Sequence, residues 1–158
     1  MENIIVPSWP GIHREKPNVF FTNNEIDFDL HDPERLVEWI TDAIAEEGYE
    51  LDRIDYIFCS DDFLLEINRT HLHHDDYTDI ITFPLEENPI IGEIYISIDR
   101  VRENASSFHI AFEEELHRVM IHGVLHLCGY DDHEEDDIQE IRAKEEAYLN
   151  DYRIRNNE

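Results

Sequence analysis

Basic side chains are scarce in this chain. Its 158 residues include 12 Lys and Arg against 39 Asp and Glu, a formal net charge of −27. Such a surface stays soluble and works against indiscriminate adhesion to nucleic acid or anionic membranes. Any RNA contact then needs a local basic patch or a bridging cation. Cysteine is scarcer still. Cys59 and Cys128 each sit inside an apolar segment, which excludes a disulfide framework and reads as two buried free thiols in a reducing compartment. No apolar run is long enough to span a bilayer. Met1 to Pro17 has no charged start followed by an apolar stretch, so residues 1–17 read as an irregular extension and not as a signal peptide. These absences lead to the expectation of a cytoplasmic protein.

What remains is ordinary for a globular domain: 41% apolar and 11% aromatic residues, in a chain long enough for one core. Residues 18–158 read as a single domain without repeat or linker. Asn18 to Thr22 predicts a strand. Asp32 and Pro33 predict a helix start, and Gly48 its end. The alternation of Ile54, Tyr56 and Phe58 predicts a strand over 53–59. Ser60 and Asp61 cap a short helix, followed by a polar loop from Thr70 to Asp76. Ile80 to Phe83 reads as a strand stopped by Pro84, and Ile94 to Ile98 as its hairpin partner across a loop holding Pro89 and Gly92. Three helices follow: one opened by Asp99, one from about Phe112 to Leu127 ended by Gly129, and one over roughly Glu135 to Leu149. The order β-α-β-α-β-β-α-α-α predicts an α/β fold of the α+β type, a small four-stranded mixed sheet covered by about five helices.

The most informative stretch is IHGVLHLCGYDDH, Ile121 to His133. His122 and His126 lie four apart on a predicted helix, so their imidazoles leave the same face about 40° apart. Gly129 permits a left-handed turn that brings the following residues back toward that face. Asp132 and His133 are then placed to supply a third ligand, with Asp132 preferred and His133 the alternative. Two imidazoles and one further donor suit a single zinc ion, and three protein ligands leave a position for water, the mark of a catalytic rather than a structural site. Cys128 lies toward the opposite side of the helix and His117 faces away, so neither is expected to ligate. The spacing is similar to that of zinc peptidases, but the general-base glutamate of their HExxH pattern is replaced by Gly123, which cannot move a proton.

The chain resembles the YbeY family of metal-dependent endoribonucleases and ribosomal RNA maturation factors. The resemblance rests on HGVLHLCGYDD at His122 to Asp132 (the family's HGxLHLxGYDH), on Asn68, on TDIITFP at Thr78 to Pro84, and on GEI at Gly92 to Ile94. It implies a zinc-dependent endoribonuclease of the cytoplasm that works on ribosomal RNA, with ribosomal RNA and a basic ribosomal protein as partners and no membrane or nucleotide cofactor. The alternative is a non-catalytic, metal-stabilised ribosome-assembly module. Two positions depart from the family. Its third metal-binding histidine aligns with Asp132, with His133 one residue late. An arginine implicated in the family's activity aligns with Leu72, leaving Arg69, His73 and His74 as neighbours that could take its place and Arg69 as the catalytic candidate. Arg69, Arg100, Arg102 and Arg118 are the expected local basic patch. Thr78 and Asp79 read as turn formers, and Glu93 as exposed or half-buried.

Overall fold

A computed structural model describes residues 18–157. The expected irregular extension over 1–17 lies outside them. The elements follow the expected order: β1 (Val19–Asn23), α1 (Pro33–Glu46), β2 (Leu51–Cys59), α2 (Asp61–His71), β3 (Ile80–Glu87), β4 (Ile90–Ser97), α3 (Ile98–Phe108), α4 (Phe112–Leu127) and α5 (Glu135–Asn156). The four strands form one sheet in the order β1-β2-β4-β3. β1 and β4 run parallel to β2, and β3 pairs antiparallel with β4.

Strand side chains alternate between the two sheet faces, and here both faces are covered. Ile54, Tyr56 and Phe58 of β2 and Ile94 and Ile96 of β4 join the main core with Leu36, Trp39 and Ile40 of α1 and Leu116, Met120 and Val124 of α4. The alternate residues, Ile81 and Phe83 of β3 and Tyr95 of β4, pack with Leu64 of α2 in a smaller cluster. Buried polar atoms are matched where the layers meet. The Tyr56 hydroxyl donates to the Met120 carbonyl at 3.0 Å, and Trp39 Nε1 donates to the Tyr148 carbonyl at 2.9 Å.

Several boundaries differ from those expected, each for a non-local reason. β3 does not stop at Pro84 but continues to Glu87. It is an edge strand whose register shifts between Pro84 and Glu86, where a missing N–H costs no ladder bond. β4 begins at Ile90, so Gly92 lies in a strand and not in a loop. The absence of a side chain there admits Leu127 of α4: a Cβ at 92 would stand 2.9 Å from Leu127 Cδ1. α2 takes in Thr70 and His71, which were expected to be loop. Asp32 precedes α1 as expected but makes no side-chain cap; its carboxylate pairs with Arg35 at 3.1 Å. α5 extends to Asn156 because Tyr152 is buried against Trp39 and His117.

That last contact makes the fold sensitive to acid. His117 is enclosed by Trp39 and Tyr152, and burial, aided by the nearby His31, pushes its pKa down to about 4. An unfolded histidine takes up its proton near 6.5. Between those values the unfolded chain binds more protons, so this contribution is complete above about pH 6.5 and is lost as pH falls toward 4. His117→Phe should therefore remove about 2 kcal/mol of the stability difference between pH 7 and pH 5. Urea unfolding of metal-free protein at both pH values checks this; equal pH dependence in variant and parent would refute it.

Candidate metal centre

The centre is built on the last two turns of α4 and the turn that follows. His122 and His126 leave α4 one turn apart. Gly129 takes φ +96, where a side chain would be strained, and the Tyr130 N–H closes the turn on the Leu125 carbonyl at 3.0 Å. The reversed chain then carries Asp132 back over the helix end. His122 Nε2 and His126 Nε2 stand 3.0 Å apart, and Asp132 Oδ2 lies 3.4 Å from each.

Hydrogen bonds on the far side of each ring decide what those nitrogens offer. His126 Nδ1 lies 2.9 Å from the Tyr130 carbonyl, which can only accept, so Nδ1 carries the proton and Nε2 presents a lone pair. His122 Nδ1 donates to Glu145 Oε2 at 2.6 Å, and the second Glu145 oxygen lies 3.4 Å from Arg118, which favours the ionised carboxylate. Two bare imidazole nitrogens and a carboxylate oxygen thus converge on one point, an arrangement that repels itself without a cation. Donors about 2.0–2.1 Å from a tetrahedral ion sit about 3.3 Å from one another, close to the spacing found here. The acidity of His122 carries the same signal. Burial presses its pKa down, but the hydrogen bond and charge of Glu145, with Asp132 and Asp79, outweigh burial and raise it. The donor set therefore fits a small divalent ion such as zinc.

The wider shell was not legible as a site in the sequence. Glu145 and Glu115 are both 3% exposed, and both contact Arg118. Burial pushes the Glu115 carboxyl upward against the pull of Arg118. Each glutamate stands on the apolar stripe of its helix, Glu145 four residues after Ile141 and Glu115 four before Val119. An acid at a core position is the one local sign that could have marked them. Asp79, expected as a turn former, instead lines the same cleft as His122 and Asp132. Burial raises its pKa, opposed by a bond to its own backbone and by His122. Behind the turn, the Tyr130 hydroxyl donates to Glu47 at 2.8 Å, and Glu47 also accepts from Tyr148 at 2.5 Å and Lys144 at 3.2 Å. This network fixes Tyr130, whose carbonyl orients His126.

Other expected residues lie apart. His133 is 80% exposed at its side chain and turns to Asp131 at 3.3 Å. It groups with exposed Asp131 and half-buried Asp132 but does not join His122 and His126. Cys128 is buried, and burial pushes its thiol up to about 12; it is not in the converging set. Arg69 does not line the cleft, and its guanidinium is paired with Asp75 at 2.5 Å. Leu72 caps α2 and is exposed. Arg100 pairs with Asp61, and Arg102 lies over the Phe112 ring. Of the expected basic patch only Arg118 lines the cleft, and it is joined there by Arg142, a residue outside that patch. Glu93 is half-buried, as expected.

Comparison with known proteins gives a consistent result. Residues 18–153 match the family described as endoribonuclease YbeY. The chain is 47% identical over 136 residues to endoribonuclease YbeY of Flavobacterium psychrophilum, covering 85% of this chain and 97% of that one. It is 45% identical over 136 residues to endoribonuclease YbeY of Amoebophilus asiaticus, covering 85% and 92%. A solution structure of a Thermotoga maritima protein is similar at a TM-score of 0.63 and 31% identity, over 88% of this chain and 93% of that one.

Proposed function

The chain belongs to the endoribonuclease YbeY family, and on that premise we propose that it is a zinc-dependent endoribonuclease of ribosomal RNA maturation, with one ion held by His122, His126 and Asp132. The observation that carries this reading is the convergence of two Nε2 lone pairs and the Asp132 carboxylate at 3.0–3.4 Å. Held by these three residues, a zinc ion would supply Lewis acidity for phosphodiester hydrolysis.

The chain's own residues do the rest. Glu145 holds the His122 ring in the tautomer that offers Nε2, and the Tyr130 carbonyl does the same for His126. Arg118 offsets part of the buried charge of Glu115 and Glu145. With leucine at position 72, no cation stands at the family's loop position, and Arg142 is the cleft residue best placed to meet a phosphate. We place the protein in the cytoplasm; among the described residues no helix is long and apolar enough to cross a membrane. The −27 charge suits docking on a basic ribosomal protein that would bring the RNA to the cleft.

Chelation tests the reading against its alternative, a metal-stabilised assembly module. Zinc-free protein should keep its helical circular dichroism and lose RNA cleavage, and one equivalent of zinc should restore cleavage. Cleavage undiminished without metal would contradict the proposal. So would loss of the fold together with partner binding and no cleavage in the zinc-loaded form, the outcome the assembly module requires.

A further inference from the structure

Phe108 is the last residue of α3 and is 59% exposed. Burial of a phenylalanine ring stabilises a fold, and this side chain forgoes most of that gain. It is not isolated on the surface. It lines a cleft of about 550 Å³ that it shares with His122 and Asp132, within the range of about 300–1,000 Å³ typical of small-ligand sites. Ile110 and Ile138 add apolar wall, and Asn104 adds an amide. The cleft's two arginines differ. Arg118 is held by Glu115, Glu145 and Glu146. Arg142 is exposed and forms no ion pair with a described carboxylate. Asp79, Glu115 and Glu145 make the wall near Arg118 unsuited to a phosphate, so charge divides the cleft into an apolar, aromatic part and one outer cation.

An exposed aromatic ring, an uncommitted guanidinium and a neighbouring metal-ligand set are what a flipped-out nucleotide needs: a face to stack on, a charge for its phosphate, and a place for the bond to be cut. Resting on the reading of the chain as an RNA hydrolase, we propose that the cleft between α3 and α5 is a subsite for one unpaired nucleotide next to the scissile phosphate, with the base stacked on Phe108 and the phosphate contacted by Arg142.

Equilibrium binding of a labelled single-stranded decaribonucleotide to the zinc-loaded protein tests this. Phe108→Ala should weaken binding about tenfold, as expected for loss of one base–aromatic stack, with zinc content unchanged. Phe108→Trp should bind at least as tightly as the parent, which a merely structural role for the ring would not produce. Arg142→Gln should weaken binding and lower the salt dependence by about one phosphate contact. If the parent binds the decamer and Phe108→Ala or Arg142→Gln binds it equally well, the subsite is wrong while the RNA-hydrolase reading stands. If the parent binds and cleaves no RNA under any of these conditions, the reading beneath it fails as well.

Discussion

Replacing His122 and His126 together with alanine should abolish stoichiometric zinc binding and RNA cleavage while leaving the fold in place. Both rings are only partly buried, and neither is part of the main apolar core, so their loss opens no large cavity. What remains near the centre is Asp132 with exposed Asp131 and His133, a surface group with one imidazole. Loss of a partner that merely orients a ligand weakens metal binding about 10–100-fold, and the double variant removes two direct ligands. The drop should exceed that range and leave less than a tenth of an equivalent of zinc after dialysis. Elemental analysis and competition with a chromogenic chelator measure it. A full equivalent retained by the double variant would mean that the ion sits elsewhere.

The second large effect concerns Gly123. Zinc peptidases place a glutamate beside the first histidine, and Gly123→Glu would recreate that pattern here. It should yield an unstable or unfolded protein and no peptidase. A Cβ at position 123 would meet Ile94 Cδ1 at 3.0 Å and Ile80 Cδ1 at 3.1 Å. This position therefore faces β3 and β4, and the glycine lets α4 lie close on the sheet. A carboxylate there would be buried among isoleucines without a partner, at a cost of about 3–5 kcal/mol before any overpacking. Gly123→Ala is the control. Its methyl meets Ile80 Cδ1 and both Cδ1 and Cγ2 of Ile94 at 3.0–3.1 Å, a crowding that shifts of a few tenths of an ångström relieve and that alanine's better helix propensity, about 1 kcal/mol, partly offsets, so it should fold and keep zinc. Urea unfolding of the three proteins, with a casein assay, checks the ranking. A Gly123→Glu protein as stable as the parent would contradict the packing described here.

The sequence carried the element order and the two histidines because both are local patterns. Helical spacing set α4 at Phe112–Leu127, and four-residue spacing put His122 and His126 on one side of it. Gly129 announced the turn, and with it the return of Asp132. What could not be read came from a distance. Glu145 reaches His122 from 23 residues away, and Glu47 reaches Tyr130 across 83; neither contact leaves a periodic trace. Asp79 looked like a turn former because its burial depends on α3 and α4 packing over the start of β3. Pro84 and Gly92 misled for a related reason. Proline breaks an inner strand but not an edge, and the glycine in β4 answers to Leu127 on another element.

Zinc-edge anomalous diffraction from crystals of the zinc-loaded protein tests the proposed centre most directly. The expected result is one ion bonded to His122 Nε2 and His126 Nε2 at about 2.0–2.1 Å and to Asp132 Oδ2 at about 2.0–2.2 Å, with His133 still turned to solvent. An ion bonded to His133 in place of Asp132, or no anomalous peak within bonding distance of His122 and His126, would contradict it.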